Sequence, residues 1–101
     1  MSSSHGGLHQ KKVKGTGAEL SIPLGGPAKR VEIYNVASNT SFVKDETDLG
    51  KFAKTYAAAG AQAYVDNVAE FQGDKLVIDA SAAVNVADEE LHVSYWEKRS
   101  E

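Results

Sequence analysis

Apolar residues in this chain come in short alternating bursts, cut apart by glycine, proline, asparagine and aspartate. Leu20, Ile22 and Leu24 alternate with Ser21 and Pro23, the two-residue period of a strand with one buried face. Pro23 assigns that strand to a sheet edge or a strand end. Gly25-Gly26-Pro27 follows as a turn signal. Residues 30–36, Arg-Val-Glu-Ile-Tyr-Asn-Val, are rich in β-branched and aromatic side chains and give the clearest strand. With only about five residues between them, the two strands are expected to pair as an antiparallel hairpin.

The pattern continues in the same style. Residues 38–40 form a turn cluster, and residues 40–44, with Phe42 and Val43, read as a short strand ahead of the acidic loop Asp45-Glu46-Thr47-Asp48. Residues 49–60 fit two readings. Leu49, Phe52, Ala53, Tyr56 and Ala57 have helical spacing with Gly60 as a stop signal, whereas the β-patterned surroundings favour an extended or irregular crossing. Residues 62–71 read as extended with a kink at Asp66-Asn67, Gly73-Asp74 as a turn, and Leu76-Val77-Ile78 as a buried strand. In the last strand Leu91, Val93 and Tyr95 alternate with His92, Ser94 and Trp96. About six or seven short strands with turn signals between them predict a mainly β domain over residues 15–97, a small antiparallel β-sandwich or jelly-roll-like barrel. Residues 1–14 carry serine, glycine and three lysines but almost no apolar side chains, and are expected to form an extended, flexible N-terminal arm. Residues 98–101 read as a polar tail.

Composition narrows the chemistry. The 101 residues suit one domain, and their 42% apolar content suits a packed core. The absence of cysteine excludes disulfides, thiolate nucleophiles and cysteine–zinc sites. The net charge of −3 offers no general attraction to nucleic acid. No apolar run approaches the roughly 20 residues of a membrane-spanning helix, and no signal-peptide core is visible near the N-terminus. A small core without staples makes self-association an expected source of extra stability.

Each constellation that suggests catalysis or ligand binding also has a plainer reading. His5 and His9 are four apart, but Gly6 and Gly7 oppose the helix that would align them on a metal. Gly15-Thr16-Gly17 and Gly25-Gly26-Pro27 match no phosphate-binding fingerprint. Glu32 interrupts the grouping of Lys29, Arg30 and Tyr34 that would suit nucleic acid. His92 lacks a motif supplying a nucleophile. No enzyme activity and no cofactor are therefore expected. The candidate binding residues are Lys11, Lys12 and Lys14 in the arm, expected to meet an acidic neighbour such as the Asp45–Glu46–Asp48 cluster of another subunit, together with Tyr34, His92 and Trp96. Strand alternation sets Trp96 opposite to Leu91, Val93 and Tyr95, so it belongs either to an outward interface or to a second covered face.

The order of a polar arm, Gly15-Thr16-Gly17, a strand and Gly/Pro turn, Val31-x-Ile33-x-Asn35, the segment from Gly73 to Ile78, Asn85-Val86 and the aromatic-ended strand from Leu91 to Trp96 resembles small structural proteins of tailed-phage virions. The resemblance implies a capsid decoration (cement) protein on the capsid exterior, made in the host cytoplasm. Such a protein acts as a dimer or trimer and binds the major capsid protein or other virion subunits, without nucleic acid, membrane or cofactor. The alternative is a carbohydrate- or receptor-binding β module of a fibre, with Trp96, Tyr34 and Tyr64 as stacking platforms.

Overall fold

The computed structural model describes residues 8–98. Nine strands follow one another: β1 (Leu8–Lys14), β2 (Leu20–Pro23), β3 (Ala28–Asn35), β4 (Thr40–Asp45), β5 (Ala53–Tyr56), β6 (Gln62–Val65), β7 (Ala69–Gln72), β8 (Lys75–Ile78) and β9 (Glu90–Glu97). They build two antiparallel sheets, one in the order β1-β9-β3-β4-β5-β6 and one in the order β2-β8-β7. The mainly β sandwich expected from the alternation is therefore the fold, and there is no helix among the described residues.

The core lies between the sheets, where the alternation places it. Val31 and Ile33 of β3, Phe42 of β4, and Leu91, Val93 and Tyr95 of β9 face Ile22 of β2 and Leu76 and Ile78 of β8. Leu24, Val68, Ala82 and Val84 close the ends. Removing each large side chain of this group from water stabilises the fold by roughly 1.5–3 kcal/mol.

Two expectations are corrected by the pairing. The strands around Ile22 and Val31 do not form a hairpin: β2 pairs with β8, whereas β3 pairs with β4 and β9. Gly25, at φ 77°, lets the chain leave one sheet for the other, and the Leu24 N–H donates to Asp74 O instead of continuing toward β3. Each strand has one apolar face, and stacking the two faces buries both. A flat hairpin would leave them side by side.

The second correction concerns the arm. Leu8–Lys14 is an edge strand of the chain's own large sheet, paired with β9 from Leu8↔Trp96 to Lys14↔Glu90. Its polar composition is that of an edge whose Lys12 and Lys14 remain at the surface, and Val13 is its one apolar residue packed against the core. The rest of the expected arm, residues 1–7, and the tail from residue 99 onward lie outside the described residues.

In residues 49–60 the extended reading holds. Leu49, the first residue of the helical stripe, is 75% exposed while Ala53 is fully buried, so the stripe does not form one buried face. β5 instead pairs with β4 and β6, and Ala53 enters the core. The kink expected at Asp66-Asn67 is a change of sheet: Asn67 sits at φ 59°, with β6 on one side and β7 on the other.

Candidate functional interface

The small sheet covers only the inner face of the large one. The large sheet's other face is an open surface whose residues can be read from the register. One cross-strand row runs Leu8, Trp96, Arg30, Asp45; the next runs Gln10, Ser94, Glu32, Val43, Lys54, Tyr64; the third runs Lys12, His92, Tyr34, Ser41, Tyr56, Gln62. Tyr34, His92 and Trp96 therefore share this face; the alternation of the last strand set His92 and Trp96 together, the register adds Tyr34 from β3, and Lys12 and Lys14 join them from β1.

Neighbours on this face hold one another in place. The Tyr34 ring meets the His92 ring edge-on at 6.4 Å between centroids, and the Tyr34 hydroxyl donates to Asn39 Oδ1 at 2.6 Å. The Arg30 guanidinium lies 5.5 Å from the centre of the Trp96 ring. It also donates to Glu32 Oε2 through Nε at 3.2 Å and Nη2 at 2.8 Å. His92 Nε2 contacts Glu90 Oε2 at 2.5 Å, and Lys12 Nζ lies 3.9 Å from the same oxygen. The His92 hydrogen bond, assisted by the charges of Lys12, His92 and Lys14, holds the Glu90 carboxyl below its usual range. Farther along, Phe52 and Tyr64 stack at 5.0 Å. The result is an aromatic surface in which cations and carboxylates alternate at close range. Such a mosaic covers a partner without burying a net charge.

Lys11 does not belong to this face. It sits opposite Val93 on the inward side of β1, and its ammonium donates to Pro23 O at 2.7 Å. That bond ties the edge of one sheet to the end of the other. The acidic loop, expected to receive a neighbour's lysines, also has partners in its own chain: Asp48 Oδ2 accepts the Asp45 N–H at 2.9 Å, and Glu46 pairs with Lys98 at 3.0 Å.

The buried polar side chains are staples. Lys44, 1% exposed, donates to Phe52 O at 2.6 Å and to Asp48 O at 3.4 Å, fixing the loop between β4 and β5. Desolvation pushes its pKa below the ordinary lysine value, against the opposing pull of Asp48 and Glu70. Asn35 donates to Val84 O and Glu89 Oε1, each at 2.9 Å, and accepts the Ser38 N–H at 3.0 Å. Asn85 accepts the N–H groups of Thr16 and Gly17 and donates to Ala18 O and Asp79 O.

The sequence pattern marked Asn35 and Asn85 only as parts of the resemblance and Lys44 only as the end of a strand, none of them as a buried staple, although the alternation contained a signal for two of them. Asn35 continues the inward series Val31, Ile33, and Lys44 follows Phe42 at the inward spacing. A polar residue on the core side of a strand needs a buried partner, and these have found one.

A catalytic reading has less to work with. Among the described residues no hydroxyl lies within hydrogen-bond distance of the His92 ring, and Ser94, the nearest on its strand face, is met by Gln10 at 3.4 Å. No group of three or more histidine, aspartate or glutamate side chains able to hold a metal ion occurs among the described residues. His9, one of the two spaced histidines, stacks on Tyr95 and pairs with Glu97 at 3.5 Å; His5 lies outside the described residues. No helix among the described residues is long and apolar enough to cross a membrane. Compared with known proteins, the chain matches no family, no curated protein and no solved structure.

Proposed function

We propose that this chain is a non-catalytic assembly component that docks the open face of its six-stranded sheet onto another protein. In the setting implied by the sequence resemblance, it is a decoration protein on the exterior of a tailed-phage capsid, binding the major capsid protein or neighbouring virion subunits as a homo-oligomer. The observation that carries the docking reading is the convergence of Trp96, Tyr34, His92 and Lys12 on one sheet face that the described residues leave uncovered. Aromatic and arginine side chains at the centre of such a surface are the usual anchors of protein interfaces. Many copies bound weakly at fixed geometry gain avidity that one copy lacks.

A glycan-binding module is less well served. Its three stacking platforms each have a neighbour against the ring: Arg30 beside Trp96, His92 against Tyr34 and Phe52 on Tyr64. The test is co-sedimentation of the chain with empty shells assembled from the cognate major capsid protein. Binding is expected to saturate at a fixed ratio of chain to shell subunit. Tyr34→Ala and Trp96→Ala are each expected to weaken it by roughly tenfold or more, with circular dichroism confirming that the variants fold. A chain that never sediments with shells, or variants that bind like the unaltered protein, would overturn the reading.

A further inference from the structure

The described residues present four sheet edges, β1 and β6 in the large sheet and β2 and β7 in the small one. Exposed edges invite pairing with other chains, and proteins commonly block them with charge or proline. Three of the four are blocked in this way. β1 carries Lys11, Lys12 and Lys14, β2 ends in Pro23, and β7 carries Glu70. β6 reads Gln-Ala-Tyr-Val, with neither charge nor proline.

The exception extends beyond the strand. Every residue from 57 to 67 is exposed, yet none from 55 to 65 is charged. Tyr64 is 53% exposed and Val65 40%. An uncharged, exposed hairpin in a chain whose residues are 25% charged is the kind of surface that marks a contact site.

The hydrogen-bond phase shows which groups β6 offers. The hairpin closes with the Ala57 N–H donating to Ala61 O at 3.0 Å. Bonded and non-bonded pairs alternate in an antiparallel ladder. Ala63 and Val65 therefore turn their backbone groups toward Thr55 and Ala53 of β5, and Gln62 and Tyr64 turn theirs to the open edge.

We infer that β6 is a self-pairing edge, and that its occupant is the β6 of a second copy, antiparallel about a two-fold axis at Ala63. In that register Gln62 of each copy exchanges backbone hydrogen bonds with Tyr64 of the other. Ala63 faces its own counterpart in the non-bonded position, where side chains come closest and a small residue fits. The charge pattern selects a second copy. A two-fold edge pairing brings each charge close to its like in the other copy, so β1 would set lysines among lysines, while β6 sets none. The two large sheets become one continuous sheet, with both docking faces on the same side and available to a shell.

The inference rests on the assembly reading for its purpose, but it concerns the isolated chain and is tested there. Sedimentation velocity over a concentration series is run on the unaltered protein, Ala63→Lys, Ala63→Glu and an equal mixture of the two variants. The unaltered protein is expected to show a concentration-dependent dimer. Each variant shifts the dimerisation midpoint upward by about tenfold, and the mixture recovers the dimer through the opposed charges. Ala63 is exposed, so thermal melts of the variants stay close to that of the unaltered protein. A protein that remains monomeric throughout, a lysine variant that dimerises unchanged, or a mixture that recovers nothing would overturn the inference. A dimer that binds no shell would instead count against the assembly reading, and a shell-binding monomer against the self-pairing edge.

Discussion

Replacing Asn85 by alanine should cost this fold more than any exposed truncation. The side chain is 3% exposed and makes four hydrogen bonds to the backbone. Its Oδ1 accepts the Thr16 N–H at 2.9 Å and the Gly17 N–H at 3.2 Å, and its Nδ2 donates to Ala18 O at 2.6 Å and Asp79 O at 3.2 Å. At about 1 kcal/mol net for each bond, the ceiling is ~4 kcal/mol. Thr16, Gly17 and Ala18 are exposed, so water replaces part of the loss, and a cost of about 2–3 kcal/mol remains.

That is a large share of the ~5–15 kcal/mol that holds a domain of this size. The bonds tie the segment before β2 to the loop ahead of β9, next to the Gly15–Glu89 and Asp88–Gly15 backbone bonds that set β1 against β9. Urea unfolding followed by the fluorescence of Trp96, the single tryptophan, measures the effect. With a slope of roughly 1–3 kcal/mol per molar urea, the midpoint should fall by about 0.7–3 M. Asn85→Asp sharpens the test. It keeps an acceptor for the two N–H groups but sets a carboxylate against two carbonyl oxygens, so at neutral pH it should be at least as damaging as alanine. Acid protonation restores one donor, and because the fold disfavours this carboxylate the gap between the two variants should narrow as the pH falls toward about 4. A loss under ~0.5 kcal/mol for Asn85→Ala, the range of ordinary surface substitutions, would refute the latch.

Three further outcomes follow from single contacts. A Cβ at Gly15 would stand 2.3 Å from Val86 O and 2.9 Å from Val86 N, so Gly15→Ala should destabilise by about 1–3 kcal/mol in the same urea assay; Gly26→Ala, with nothing within 4 Å, should be neutral or stabilise slightly. The Lys44 pKa is lowered from 10.5 by desolvation, so between the lowered folded value and 10.5 the unfolded chain holds more protons; stability should therefore rise with pH across that window, and Lys44→Met should flatten the slope measured by urea midpoints. The Ser81 hydroxyl and N–H, at 2.6 and 2.9 Å, lower the Asp79 pKa from 3.8; the stabilisation is present above 3.8 and lost as pH falls through the folded value, so Ser81→Ala should reduce that part of the acid sensitivity in titrated melts.

Much of this architecture was legible in the alternation. The inward series Leu91, Val93, Tyr95 and the outward series His92, Ser94, Trp96 are where a two-residue period puts them. Strand partners were less legible, because alternation shows that a strand has a core face but not which sheet it joins. The neighbouring strands around Ile22 and Val31 ended in opposite sheets because facing layers bury more than adjacent strands do. Leu8–Lys14 looked like an arm because an edge strand needs few apolar residues when its main support is backbone pairing with β9.

The docking face shows the same division. The alternation of the last strand set His92 and Trp96 on the side opposite Leu91, Val93 and Tyr95, but did not decide whether that side was open or covered. The convergence of Tyr34, His92 and Trp96 with Lys12, and the inward turn of Lys11 toward Pro23, depended on a register that no local pattern encodes.

The central claim, that the open face of the large sheet is the surface that docks, is tested most directly by covalent footprinting of lysines and tyrosines on the free and the shell-bound chain. Lys12 and Lys14 of β1 and Tyr34 of β3 should lose reactivity on binding, while Lys75, paired with Pro23 and Gln72 on the small sheet, keeps its own. Protection of Lys75 with Lys12, Lys14 and Tyr34 left reactive would place the contact on the opposite side of the sandwich and contradict the account.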